Sequence, residues 1–124
     1  MKISMHLCLL GFVFLASTAQ ATDTIRDYKE AKKAGGERWV LIQIYIEGIA
    51  AGYAAANAYL ATHLQREIYC VPQNLSLNIQ NLVHILDKDI ANPPIPIFND
   101  DLPIELALEI GLQETFPCNS ANRQ

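Results

Sequence analysis

From Trp39 to Cys70 the chain reads WVLIQIYIEGIAAGYAAANAYLATHLQREIYC, and its apolar residues recur with the period of a helix. Trp39, Ile42, Ile46, Ile49, Tyr53, Ala56 and Leu60 follow one another in steps of three and four, which places them on one face. Beside them runs a second apolar stripe, Leu41, Tyr45, Gly48, Gly52, Ala55 and Tyr59, with small residues at its middle. Gln43, Glu47 and Asn57 alone break the apolar surface. A helix apolar on most sides has to be surrounded, so the pattern predicts either the central post of a bundle or a membrane span. The segment is long enough to span, and Gly48-x-x-x-Gly52 is a spacing used where membrane helices meet. Glu47 near the centre argues against insertion, where an acid costs about 2.5 kcal/mol or more. The expectation is therefore a soluble, buried helix whose two glycines face a close neighbour, with no membrane insertion.

Three shorter helices complete the pattern. Thr24 to Lys33 carries a capping box of Thr24 and Asp27 and an apolar edge of Ile25, Tyr28 and Ala31. Gly35-Gly36 ends it and opens a hinge. Val71 before Pro72 marks the exit from the long helix. Ser76 is the expected cap of the next, Leu77 to Ala91, with Ile79, Leu82, Val83, Leu86 and Ile90 inward. The stretch NPPIPIFNDD, 92–101, holds three prolines and reads as a rigid, extended connection. Asp100 or Asp101 then caps the last helix, with Pro103 in its first turn, Ile104, Leu108 and Leu112 inward and Glu105 and Glu109 outward. No sustained alternation of the strand type occurs. The fold class is all-α: a small four-helix bundle around one long central helix.

The N-terminus changes the picture of where this domain folds. Lys2, the apolar run Leu7 to Ala16 and the small-residue pattern Ala19-Gln20-Ala21 read as a secretory signal peptide, 1–21, cleaved near Ala21. The chain left, 22–124, is a single domain of modest core. Losing Lys2 takes the formal charge from −4 to −5, which points away from nucleic acid and anionic membrane surfaces. Localisation in a periplasm follows. In such an oxidising compartment the two remaining cysteines, Cys70 and Cys118, are expected to pair. Closing a loop of that length is worth roughly 4 kcal/mol in the chain-entropy account.

Candidate chemistry is sparse. Glu47 with Gln43 one turn before it could form a tuned acid on a buried helix, although a hydrogen-bonded structural glutamate is the commoner case. His63 suits the negative end of the long helix, and His84 lies on a solvated face with Asp87 and Lys88. Neither histidine stands at a ligand spacing from a cysteine, so no metal and no cofactor are expected. The expectation is a binding protein, not an enzyme.

Gly48-x-x-x-Gly52, then Cys70-Val71-Pro72, Gln80, and Gly111-Leu112 running into Phe116-Pro117-Cys118, resembles the Rap/Tai family of type VI secretion immunity proteins. The likeness covers Tyr45 to Cys118. It departs at Gly111, where the family has alanine, and in the proline-rich segment before the last helix. The resemblance implies a small periplasmic helical protein that neutralises a peptidoglycan amidase effector by covering its active-site cleft, working as a homodimer.

The partner-binding residues expected from the chain itself are Ile97, Phe98, Asn99, Asp100 and Asp101. Prolines reduce the entropy lost on binding, Ile97 and Phe98 offer an apolar anchor, and the three polar residues offer acceptors. Two other readings stand beside this one. A periplasmic acid-stress chaperone would shed structure as its carboxylates lose charge, although the Trp-x-Cys opening associated with that class is absent. A helical envelope protein with a structural role is the third.

Overall fold

The computed structural model describes residues 22–118, so the expected leader and the end of the C-terminal tail lie outside the described residues. Four helices follow in order: α1 (Ile25–Ala34), α2 (Gly36–Leu64), α3 (Ile79–Ala91) and α4 (Ile104–Thr115). An antiparallel bridge between Thr24 and Pro103 is the one strand-like feature among the described residues. The all-α, four-helix expectation holds, and the disulfide Cys70–Cys118 is formed.

The start of α1 follows the sequence closely. The Thr24 hydroxyl accepts from the Asp27 amide, Asp27 accepts from the Thr24 amide at 2.8 Å, and Ile25, Tyr28 and Ala31 are buried. Gly35 and Gly36 lie at φ 69° and 65°, conformations that side chains with a Cβ avoid. Those two residues turn the chain from α1 into α2.

The long helix departs from expectation in three ways. It ends at Leu64, short of Val71, with Gln65 in the left-handed conformation as its cap. Asn57 explains the early exit: its Nδ2 donates to the Tyr69 carbonyl at 2.8 Å and its Oδ1 accepts from the Ile68 amide at 2.6 Å. The returning chain is thus sewn to the helix it has just left, and Pro72 plays no part in ending it. Second, α2 touches each of the other three helices, as a central helix should, but on one face only. Ile42 and Ile46 are its buried residues, and Trp39, Ile49 and Tyr53 of the same stripe pack against the core. Most of the second stripe points away: Leu41 and Tyr59 are more than half exposed, as are Val40 and Ile44 beside it, while Tyr45 alone of that stripe packs against the core. Third, the glycine pair faces no neighbour. A Cβ built on Gly48 or Gly52 meets nothing within 4 Å. Glu47 is likewise exposed, so it is no buried acid.

The close helix contact is made elsewhere, at Gly111 on α4. A Cβ there would sit 2.5 Å from Ile85 Cγ2 and 2.9 Å from Asp89 Oδ2. α3 and α4 therefore pack at a distance that only glycine permits. Ile104, Ala107, Leu108 and Leu112 fill the centre of the core from α4, against Leu82, Ile85 and Leu86 from α3.

Two caps also differ. α3 is capped by Asn78, whose side chain accepts from the Asn81 amide at 3.0 Å while Asn81 accepts back from Asn78 at 3.2 Å. Ser76 has no such return partner three residues on, and asparagine serves here in place of the usual Glu or Gln. α4 starts from Pro103 without a side-chain cap. Its first amide, Ile104, donates to the Asp23 carbonyl at 3.0 Å, and Asp100 and Asp101 are engaged by α1 instead.

Candidate partner-binding site

The connection between α3 and α4 is built as two consecutive turns. The Phe98 amide donates to the Ile95 carbonyl at 3.0 Å and the Leu102 amide to the Asn99 carbonyl at 3.1 Å. Asn99 Oδ1 accepts from the Asp101 amide at 3.0 Å, a local side-chain turn typical of asparagine.

Its base is tied to the N-terminus of α1. The first amides of a helix have no partner inside it. Here Ile25 donates to the Leu102 carbonyl and Arg26 to the Asp100 carbonyl, both at 2.9 Å. Loop carbonyls complete the cap that Thr24 begins. Side chains repeat the connection: Arg26 Nη2 meets Asp101 Oδ1 at 2.6 Å and Lys29 Nζ meets Asp100 Oδ1 at 3.0 Å. One turn further along α1, Lys32 pairs with Asp87 of α3, which also accepts from the buried Tyr28 hydroxyl at 2.9 Å. These exposed pairs each contribute little alone, yet they line one basic edge of α1 with acids from the loop and α3. Burial, and then the bond to Asp87, push the Tyr28 phenol far above its ordinary range. The carboxylate of Asp27, hydrogen-bonded by Thr24, is held below its ordinary value.

The five residues expected to bind a partner are thus together in space but differ in what they can do. Phe98 is 5% exposed and packs into the core. It props the loop from beneath and presents no anchor to a partner. Ile97, its neighbour, is 57% exposed. Asn99 is exposed at the turn, and Asp100 and Asp101 hold the loop onto α1 while keeping half or more of their side-chain surface in water. The alternation of a tight turn separates Ile97 from Phe98, which an apolar pair in sequence does not announce.

Compared with family models, with curated proteins and with solved structures, the chain matches none.

Two carboxylates withdrawn from solvent, one half-buried and one fully buried, were missed by the sequence reading. Glu105, expected on the wet side of α4, accepts a hydrogen bond from the Tyr45 hydroxyl, and its carbonyl accepts from Tyr53 at 3.0 Å. The Tyr45 phenol is pushed up to about 12, first by that hydrogen bond and then by burial. Asp89 is 2% exposed beneath Gly111, with Lys88 Nζ at 3.2 Å from Oδ1. Its position was readable, since Leu82, Ile85, Leu86 and Asp89 keep one helical period. Glu105 ties α4 to α2 through Tyr45, whereas Asp89 pairs with Lys88 of its own helix and its Oδ2, close under Gly111, has no hydrogen-bond partner among the described residues. A cleft of about 520 Å³ lies between the end of α2 and α4, lined by Leu60, Leu64, Arg66, Glu67, Ile68, Glu109 and Gln113. Glu67 comes within 3.2 Å of Cys70 Sγ. Both sulfurs near it are spent in the bridge, so the trio of Glu67, Cys70 and Cys118 is no ligand set. His63 stacks on Tyr59 at 4.1 Å, and His84 is exposed.

Proposed function

We propose that this chain is a periplasmic inhibitor that acts by binding and carries no catalysis of its own, in the manner of the type VI immunity proteins it resembles. Its target in this reading is a peptidoglycan amidase, and the loop of residues 92–101 enters the enzyme's cleft. The observation that carries the reading is the way this loop is held. Backbone bonds to α1 fix its base, Phe98 fills the space beneath it, and Ile97 stands free beside Asn99. A loop ordered before it meets its partner loses little entropy on docking, and a projecting apolar side chain ringed by polar groups is a common binding anchor. The disulfide supports the same reading, because it joins the C-V-P and F-P-C ends on which the resemblance rests. The Cys70 amide also donates to the Phe116 carbonyl at 2.8 Å there. The acidic surface suits an enzyme with a basic cleft mouth.

The test looks for a peptidoglycan amidase encoded next to this gene and uses its purified product. The exported chain should slow peptidoglycan hydrolysis, and Ile97→Asp should weaken binding by about tenfold or more with an unchanged melting temperature. Full amidase activity in the presence of micromolar wild-type chain, or equal inhibition by Ile97→Asp, would overturn the proposal.

A further inference from the structure

The outer side of α2 is a strip with no hydrogen-bonding side chain along most of its length. Val40, Leu41, Ile44, Ala51, Ala55 and Ala58 line it, all exposed, with Gly48 and Gly52 open between them. From Val40 to Ala58 it runs for about 27 Å at 1.5 Å per residue. Glu47 stands at its edge, and no other side chain between Arg38 and His63 is charged. A protein partner ordinarily makes about one hydrogen bond per 100–200 Å² of contact. This strip offers no side-chain donor or acceptor for one, and hydrocarbon needs none.

By length and composition α2 passes for a membrane span, but the domain keeps it from crossing. Tyr45 and Tyr53 bond it to Glu105 of α4, and Asn57 bonds it to the returning chain at Ile68 and Tyr69. Such a helix can lie along a bilayer with its outer side down. At one rim of the strip Tyr59 and His63 stack at 4.1 Å, and the helical period puts Arg38 on the same side. These groups suit the headgroup level while the strip beside them enters the acyl boundary.

The start of the described chain points to the same occupant. Asp23 accepts from Arg38 Nη2 at 2.7 Å, and its carbonyl accepts from the Ile104 amide. The chain before it therefore leaves the domain at the first turn of α2, one turn from Leu41. Seven residue steps separate Asp23 from Ala16, the end of the apolar run in the expected leader, a reach of at most about 25 Å. A leader held in a bilayer keeps the head of the apolar strip within that distance of lipid.

We propose that the outward face of α2 docks this domain on the lipid surface of the membrane it is exported across, lying in the plane without spanning it. The net negative charge of the chain gives no attraction to anionic headgroups. Apolar burial alone holds the helix there, so the binding is insensitive to salt. The proposal makes no use of the amidase reading, and its test needs only the purified chain and lipid, so either can fail without the other.

The exported chain, disulfide intact, should float with neutral phosphatidylcholine vesicles, equally at low salt and at about 0.5 M sodium chloride. Ile44→Glu and Ala55→Glu should each weaken vesicle binding by about tenfold or more, with the helical circular dichroism unchanged. Ile97→Asp, an exposed apolar site outside α2, should float like the wild type. An environment-sensitive fluorophore on Ala55→Cys should brighten with vesicles, and the same label on Glu30→Cys of α1 should not. Four results would overturn the proposal: no flotation of the wild type, flotation lost at high salt, Ile44→Glu floating like the wild type, or equal losses from Ile97→Asp and Ile44→Glu. So would a doubled mass without lipid that Ile44→Glu abolishes, because a second copy would then cover the face.

Discussion

α2 and α4 are both apolar helices containing glycine, and they occupy opposite environments. α4 is the shorter, yet it buries Ile104, Ala107, Leu108, Gly111 and Leu112, while α2 buries Ile42 and Ile46. Gly111 is the point of closest helix approach, and Gly48 and Gly52 look onto open space. The difference teaches that composition reports what a helix is able to bury, and partners decide what it does bury. Three short helices can cover one face of a long one. With a core this small they cannot close around it.

The loop offers the largest test of this contrast between inner and outer apolar positions. Phe98→Ala should cost about 3–5 kcal/mol, as for a large aromatic removed from a packed interior. Ile97→Ala, one residue away, should stay within about 0.5 kcal/mol. Chemical denaturation of both variants checks it, and comparable losses would mean that the loop sits differently.

Next in size is the α3–α4 contact. Gly111→Ala should destabilise by about 1–3 kcal/mol, because the new methyl must displace Ile85 Cγ2, which is fixed at a branched carbon, as well as the tip of Asp89. This is also the position where the resembled family has alanine. The deeply buried Asp89 beneath it gives the physical reason for glycine in this chain.

A smaller effect should appear at alkaline pH. Tyr28, Tyr45, Tyr53 and Tyr69 all have phenols raised above 10.0 in the fold, by burial in most cases and first by the Glu105 hydrogen bond at Tyr45. A raised phenol favours the folded state fully below pH 10. That contribution is lost as pH climbs, through about 12 for Tyr45. Stability should therefore decline from pH 10 upward, and Tyr45→Phe should flatten part of the decline. An identical pH profile for that variant would remove Tyr45 from the account.

Much of the fold was legible because local chemistry and tertiary packing agree. The Thr24–Asp27 box, the Ile25–Tyr28–Ala31 edge, the Gly35–Gly36 turn and the Ile104–Leu108–Leu112 row each follow from residues close in sequence. What stayed hidden depends on distant partners. Asn57 ends α2 by catching residues 68 and 69, and α1 removes Asp100 and Asp101 from their expected capping role. The inward stripe of α2 was correctly drawn from Trp39 to Tyr53, but its continuation at Ala56 is exposed. Whether the second stripe is covered depends on how many elements remain to cover it, and periodicity carries no such count. At the candidate site the position of the loop was readable from its prolines, but the division of labour between Ile97 and Phe98 is set by a turn hydrogen bond from Phe98 to Ile95.

The central claim is that α2 is packed on one side only, and Gly52→Ala tests it most directly. With nothing within 4 Å of the added Cβ, the substitution adds helix propensity without a clash. In dilute protein it should raise the unfolding free energy by about 0.5–1 kcal/mol. A loss of stability on Gly52→Ala would contradict the account, since it would require a helix packed against the face described here as open.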